Sequence, residues 1–391
     1  MRNLPDGKDI FDPALYAGTR RPRAEATTLP HWVYTDQTWF EREMTNLFRP
    51  AWHFAGLASS VPQPGDFRTL RLLDEPLLVV RGDDDRVRVF RNSCRHRGSL
   101  VVEEPSGNCR GLRCPYHSWT YSLEGVLKHA PGLDGHRREE LAGLGRNLVQ
   151  VPSGIREGLI FVHLGDPATA PTLDAYLGNY LSAVAVPHQT AQMVAVHERE
   201  YVLDSNWKLY VEVDMETLHT KHIHRGSIGE QPVTVPHSEG HWIGVYHASE
   251  HTPALHPGER HTGFPHTKGL TGAAEHGAHF SILLPGFFLV TAQDVMWWIH
   301  KIPDSATRTR VRVGYSFPAS TVDRPDFDDV YPRYAKRLDQ VVEEDDWITE
   351  YQQKGLNASP PGCYVPEEHV VHRLDNWILD QVLGGRDVSH D

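Results

Sequence analysis

Four side chains in one short stretch are placed to hold metal. Cys94-Arg95-His96 is followed, after seventeen residues, by Cys114-Pro115-Tyr116-His117. Two thiolates and two imidazoles on two loops suit a [2Fe–2S] centre with Cys₂ on one iron and His₂ on the other. Neutral imidazoles in place of two thiolates raise its reduction potential. A structural zinc ion could use the same four groups. Zinc fingers, however, usually put both cysteines on one knuckle and both histidines on a helix. Cys109 and Cys363 match no motif.

A second set follows Asn206-Trp207-Lys208, in a segment carrying Glu212, Glu216, His219, His222 and His224. A mononuclear Fe(II) that activates O₂ needs two His and one carboxylate, leaving positions free for O₂ and substrate. On a straight helix, at about 100° per residue, Glu216, His219 and His222 share a stripe and His224 falls about 140° from His219. Helical geometry alone therefore favours His219 with His222. A third ligand must come from far downstream, where VVEEDDWITEYQQKGL offers Glu343, Glu344, Asp345 and Asp346.

The elements that must position these groups are legible in outline. Thr35 or Asp36 can cap a helix running to about Phe48, stopped by Pro50. Residues 51 to 165 read as many short strands, DFRTLRLL, PLLVVRG and RVRVFRN among them, separated by Gly- and Pro-containing turns. That pattern suggests a small barrel or sandwich. Leu173 to Leu181 reads as a short helix, MVAVHEREYVL as a strand, and Asn206 to about His219 as a helix. Residues 225 to 280 are rich in Gly, Pro and His and read as a long lid or insertion. Strands resume with HFSILLPGFFLVT, VMWWIHKI and TRVRVGYSFPA. Residues 328 to 355 form a charged amphipathic helix with Gly355 as its C-cap. The whole is α+β, with a β domain inserted near the front.

The 391 residues carry a net charge of −12, and 39% are hydrophobic. The length suffices for two or three domains with a real core. The acidic balance argues against nucleic acid and anionic membranes as partners. The most apolar segment, Ser281 to Thr291, is split by Pro285 and Gly286, so no membrane span is expected. Asp6, Asp9 and Asp12 stand where a secretory signal needs an apolar core, so a cytoplasmic protein is expected.

CRHRG (94–98) and CPYHSWTY (114–121) resemble the two cluster-binding loops of Rieske proteins, which usually have Gly at the position of Ser118. NWKLYVEVDMETLHTKHIH resembles the iron-binding segment of Rieske non-haem iron oxygenases. There, Asn-Trp-Lys leads to a carboxylate, two residues, His, four or five residues, then His. The resemblance selects His219 and His224 over His222, and it requires the helix to break or bulge after His219. The family's late helix reads Glu-Asp, an apolar residue three later, then Gln-x-Gly-Leu. Counting back from Ile348 and Gln353-Lys354-Gly355-Leu356 selects Asp345, with Asp346 the competitor. The resemblance spans roughly residues 30 to 360.

The chain is thus identified as a member of the catalytic (alpha) subunits of Rieske non-haem iron oxygenases. These include aromatic-ring-hydroxylating dioxygenases and quaternary-amine monooxygenases. The resemblance implies an arm and helix (1–50) packing on the catalytic domain, a β-rich Rieske domain (51–165), and a helix-grip (START-like) catalytic domain with a central antiparallel sheet (166–391). It implies one [2Fe–2S] cluster on Cys94, His96, Cys114 and His117, and one mononuclear Fe(II) on His219, His224 and Asp345. Electrons would come from NAD(P)H through a flavin reductase, with or without a ferredoxin. Glu216, where most members have Asp, would bridge to His117 of a neighbouring copy in a head-to-tail homotrimer. Its Glu resembles the subgroup acting on carnitine and related quaternary amines. The implied reaction is O₂-dependent hydroxylation or oxidative demethylation of a small aromatic or quaternary-amine substrate. Pocket walls are expected from the 225–280 segment and from Phe280, Phe287, Phe288, Trp297 and Trp298. Aromatic walls could stack a flat ring or cage an alkylammonium. Two other readings remain at this point: an electron-transfer Rieske protein without oxygenase activity, and a zinc-stabilised binding protein.

Overall fold

The computed structural model describes residues 9–384 except 134, 136 and 137. Asp6, invoked against a secretory signal, lies outside the described residues. No described helix is long and apolar enough to cross a membrane. The chain divides into two compact units, one of residues 1–51 with 174–391 and one of residues 52–173.

The first unit opens with α1 (Gln37–Glu43), capped by the Asp36 carboxylate, which accepts from the amides of Thr38 and Trp39. A π-turn over Met44–Phe48 continues it.

The inserted unit is built from short strands. β1 (Trp52–Leu57), β2 (Asp66–Leu72), β3 (Glu75–Arg81), β4 (Val87–Arg91) and β5 (Ser106–Asn108) come first. β6 (Leu112–Arg113), β7 (Thr120–Tyr121) and β8 (Leu127–His129) follow, then α2 (Arg138–Gly143), β9 (Ser153–Arg156) and β10 (Leu159–His163). They form three antiparallel sheets ordered β4-β3-β2-β5, β6-β7-β8 and β1-β10-β9. The core packs Leu78, Val80 and Phe90 against Leu112, Tyr121 and Leu127. The unit ends at Leu173, not at 165 as the sequence suggests. The segment after β10 is tied back to its sheet: Trp52 Nε1 donates to the Pro171 carbonyl at 3.0 Å. A Cβ on Gly154 would stand 2.8 Å from Leu173 Cδ2.

The first unit resumes with α3 (Leu173–Leu177), β11 (Met193–Leu203) and α4 (Trp207–Asp214). Next come β12 (Trp242–Ala248), β13 (Gly277–Leu283), β14 (Phe287–Thr291), β15 (Met296–Ser305) and β16 (Arg308–Pro318). α5 (Ala319–Val322), α6 (Phe327–Gly355) and α7 (His369–Leu383) close it. Its six strands form one antiparallel sheet ordered β11-β16-β15-β14-β13-β12. The long helix buries Tyr334, Leu338, Val342, Asp345 and Thr349, at steps of three and four, so one stripe faces inward.

Three sequence expectations are corrected. The 225–280 segment contains a full strand, β12, because Trp242, Ile243 and Val245 are apolar enough to bury beside β13. Gly355 is not a left-handed cap, since its φ is −86° and Leu356 carries the chain into a further 3₁₀ turn. The helix expected from Asn206 to His219 ends at Asp214.

Candidate metal centres

In the inserted unit, the two Cys/His loops share one backbone design. The Cys94 carbonyl accepts from Gly98 N at 2.9 Å, and the Cys114 carbonyl accepts from Ser118 N at 3.1 Å. Both fourth residues are left-handed, Gly98 at φ 79° and Ser118 at φ 60°. Glycine is free there, whereas a Cβ costs roughly 1–2 kcal/mol. Ser118 Oγ accepts from Arg113 Nη2 at 2.8 Å, which helps hold the serine in place. The first loop is tied at its base by buried Asn92, which accepts from Val101 N and Val102 N and donates to the Val102 carbonyl.

Cys94 and Cys114 are buried, His96 is exposed and His117 is half-buried. The two Nδ1 atoms of His96 and His117 face each other at 3.2 Å. Two ligands of a tetrahedral ion with metal–nitrogen bonds of about 2.0–2.1 Å stand about 3.3 Å apart, so the pair fits one metal. The His96 ring stacks on Trp119 at 4.8 Å. Arg95 N donates to the buried Tyr121 hydroxyl at 3.0 Å, and that hydroxyl lies 3.3 Å from Cys94 Sγ. Burial and the neighbouring cysteine push the Tyr121 hydroxyl's pKa up. Of the other cysteines, Cys109 is half-buried and Cys363 exposed.

In the other unit, the second set hangs from α4. Asn206 caps that helix, accepting from Lys208 N at 3.0 Å, and its own N–H donates to Gln353 Oε1 on α6 at 2.7 Å. Lys208 Nζ pairs with Glu43 at 2.6 Å, both fully buried, and Glu43 also accepts from the indoles of Trp39 and Trp207. The Asn-Trp-Lys triplet and Gln353 therefore tie α4 to α1 and α6. At the far end, Asp214 forms a buried ion pair with Lys301 of β15.

The helix stops before His219 because Glu216 takes its amides. Glu216 Oε2 accepts from the backbone N–H groups of Leu218 and His219, a side-chain contact that competes with the helical ladder. A 3₁₀ turn over His219–Lys221 follows. The break thus comes earlier than expected, and the helical stripe of Glu216, His219 and His222 does not form. His222 is exposed.

His219, His224 and Asp345 come together, with one ligand atom from each within 4.8 Å of the others. Asp345 Oδ1 stands 2.9 Å from His224 Nε2 and 3.6 Å from His219 Nε2. The opposite ring nitrogens face carboxylates: His219 Nδ1 meets Glu216 Oε1, and His224 Nδ1 meets Glu344 Oε2 at 2.7 Å. Burial pushes the Glu344 carboxyl up, but donors on Ser227, Gln340 and His224 outweigh it and hold it below the usual range. With Nδ1–H donating on both rings, each Nε2 presents a lone pair. Asp345 Oδ1 is buried and accepts no hydrogen bond. In that tautomer three acceptors converge, and a cation fits the gap between them.

The four consecutive carboxylates diverge around α6. Glu343 is exposed, Glu344 holds His224, Asp345 faces the imidazoles, and Asp346 accepts from the Tyr201 hydroxyl at 3.0 Å. Glu212, left without a role by the sequence, accepts from the Tyr34 hydroxyl at 2.7 Å. Sequence reasoning missed the roles of Glu344 and Ser227. The only signal was a carboxylate adjacent to a ligand candidate.

A cavity of ≈ 610 Å³, mouth included, opens onto this centre. Ile228, Gln231 and Val233 line it from the segment before β12, and Phe280, Phe288 and Trp297 from the sheet. Successive strand residues point to opposite faces, so Phe287 and Trp298, also expected in the walls, do not line it.

Residues 51–148 match the Rieske [2Fe–2S] domain, and residues 190–384 match the ring hydroxylating alpha subunit (catalytic domain). The glycine betaine monooxygenase oxygenase subunit of Chromohalobacter salexigens is 27% identical over 94% of this chain and 89% of its own length. The 2-aminobenzenesulfonate 2,3-dioxygenase subunit alpha of Alcaligenes sp. is 34% identical, over 51% of each chain. The fold resembles the quaternary ammonium Rieske monooxygenase CntA in complex with L-carnitine, with TM-score 0.74 and 21% identity over 94% of this chain and 98% of that one. It also resembles naphthalene 1,2-dioxygenase from Rhodococcus sp., with TM-score 0.75 and 19% identity over 96% and 99%.

Proposed function

The chain belongs to the catalytic alpha subunits of the Rieske non-haem iron oxygenases, and on that premise we propose that it hydroxylates or oxidatively demethylates a small organic substrate. The carrying observation is the convergence of His219 Nε2, His224 Nε2 and Asp345 Oδ1 beside a cavity walled by Phe280, Phe288 and Trp297. Cys94, Cys114, His96 and His117 would hold a [2Fe–2S] cluster, and His219, His224 and Asp345 a mononuclear Fe(II). When bound, these groups supply single electrons and the reductive activation of O₂.

The chain's own residues then have distinct tasks. Glu216 and Glu344 keep Nδ1–H on the two imidazoles and fix their rings, so that both Nε2 lone pairs point to one place. Phe280, Phe288 and Trp297 provide an apolar wall that shields the reacting carbon from water. Relatives named for glycine betaine and for 2-aminobenzenesulfonate bracket the substrate class: a small quaternary amine or a small aromatic compound. Electrons are assigned to NAD(P)H through a flavin reductase, with or without a ferredoxin. Glu216 is assigned the contact with His117 of a neighbouring copy in a head-to-tail homotrimer, since heterologous interfaces can close into rings.

The test is the iron and acid-labile sulfide content of anaerobically purified protein, with visible and EPR spectra, for wild type and His219→Ala. About three irons and two sulfides per chain are expected, with about one iron lost in the variant and the cluster spectrum kept. Substrate-dependent O₂ uptake by the wild type completes it. Zinc without sulfide, or a full cluster without a third iron after reconstitution, would overturn the proposal.

A further inference from the structure

Arg337 lies on α6, two turns before Asp345, and lines the cavity at the metal centre. It is 1% exposed. Its Nε and Nη2 are buried and donate to nothing, and among the described residues no carboxylate lies in ion-pair range of its guanidinium. Its Cζ lies over the face of Trp297, 5.7 Å from the ring centroid.

The carboxylates that attract it, Asp345 and Glu344, do so without pairing with it. Asp345 faces the two imidazoles, and Glu344 accepts from Ser227, Gln340 and His224. A second guanidinium, Arg260, repels it and donates to the carbonyls of Leu255 and Ile228. Burial pushes the Arg337 pKa down to about 9, still above physiological pH, so the group stays charged. A buried, charged fork with idle donors is costly, and it fits a carboxylate or sulfonate in two parallel hydrogen bonds. Gln231, on the same wall, adds a buried amide nitrogen that also donates to nothing.

We infer that the substrate is an organic anion, its carboxylate or sulfonate head held by Arg337 and its apolar body against Phe280, Phe288 and Trp297. This deepens the oxygenase reading and rests on it. A purely cationic amine is disfavoured, because Arg337 already places a positive charge against the Trp297 face that would cage it. A zwitterion remains compatible, since its anionic end can meet the arginine.

Calorimetric titration under argon tests this on the iron- and cluster-loaded protein, with matched probes: benzoate against benzamide, benzenesulfonate against benzenesulfonamide, and glycine betaine against choline. At least one anion is expected to bind about tenfold or more tightly than its partner. That preference should vanish in Arg337→Gln and survive in part in Arg337→Lys. The wild-type comparison stands even if a variant does not accumulate. No anion preference across the panel, or one that persists in Arg337→Gln, overturns the inference. Iron and sulfide are measured on the same samples. Loaded protein without anion preference sinks only this inference, while protein that cannot be loaded sinks the oxygenase reading itself.

Discussion

Glu344 and His224 meet at 2.7 Å, carboxylate oxygen to Nδ1, so that Asp345, the next residue in the chain, faces the other nitrogen of the same ring at 2.9 Å. One helix turn thus both orients an imidazole and completes the acceptor set around it. Removing such an orienting carboxylate typically costs metal affinity 10–100-fold. Glu344→Ala should therefore weaken iron binding by roughly that factor with the cluster spectrum unchanged, and Glu344→Gln should fall between. Iron retained during dialysis against a chelator measures it. Unchanged retention in Glu344→Ala would show that the contact positions nothing.

The Tyr121 hydroxyl lies 3.3 Å from Cys94 Sγ, and to a metal-bound thiolate it would be the donor. Hydrogen bonds to ligand sulfurs stabilise the reduced, more negative cluster and raise its potential. Tyr121→Phe should lower the midpoint by ~40 mV, the one-electron equivalent of a net hydrogen bond of about 1 kcal/mol. A redox titration followed by EPR would detect this, and an unmoved midpoint would contradict it.

Glu43 satisfies Lys208, Trp39 and Trp207 from a fully buried position. Glu43→Ala leaves the Lys208 ammonium buried and unpaired, which should cost about 3–5 kcal/mol in urea unfolding of the loaded protein. The double variant Glu43→Met with Lys208→Met should recover most of that loss. No recovery would mean the pair is needed for more than charge balance.

His188 Nε2 and His279 Nδ1 lie 2.9 Å apart in the interior. Burial pushes His188 down to about 3 and His279 down to about 4. Both folded values lie below the unfolded value of about 6.5, so stability is fully present above that pH and is lost as pH falls toward the folded values. Each unit of pH below 6.5 costs up to about 1.4 kcal/mol per histidine. Melting temperatures should fall between pH 6.5 and 5, and fall less steeply in His279→Gln. Parallel slopes in the two proteins would rule the pair out as the cause.

Local patterns were legible where the causes are local. Asp36 caps α1 through its own side chain, and Met193–Leu203 forms one strand over the span its composition suggests. The cluster loops show as motifs because each packs a cysteine and a histidine within three residues, and their tight turns need a left-handed residue four on from the cysteine. The break after Asp214 was not legible. It arises from Glu216 competing for its neighbours' amides, and propensity alone reads that stretch as helix.

The sequence by itself determined which residue types could bind metal, because ligand chemistry is written in short windows. The resemblance selected Asp345 among the carboxylates of residues 343–346, and tertiary structure alone decided how its neighbours Glu344 and Asp346 are used. Each step of about 100° round α6 sends one to a different neighbour, and only the packing of that helix says which neighbour waits there. Arg337 is the sharper case. On a charged helix it reads as a solvated arginine, and only the fold closes it into a cavity where, among the described residues, no carboxylate comes within ion-pair range of it.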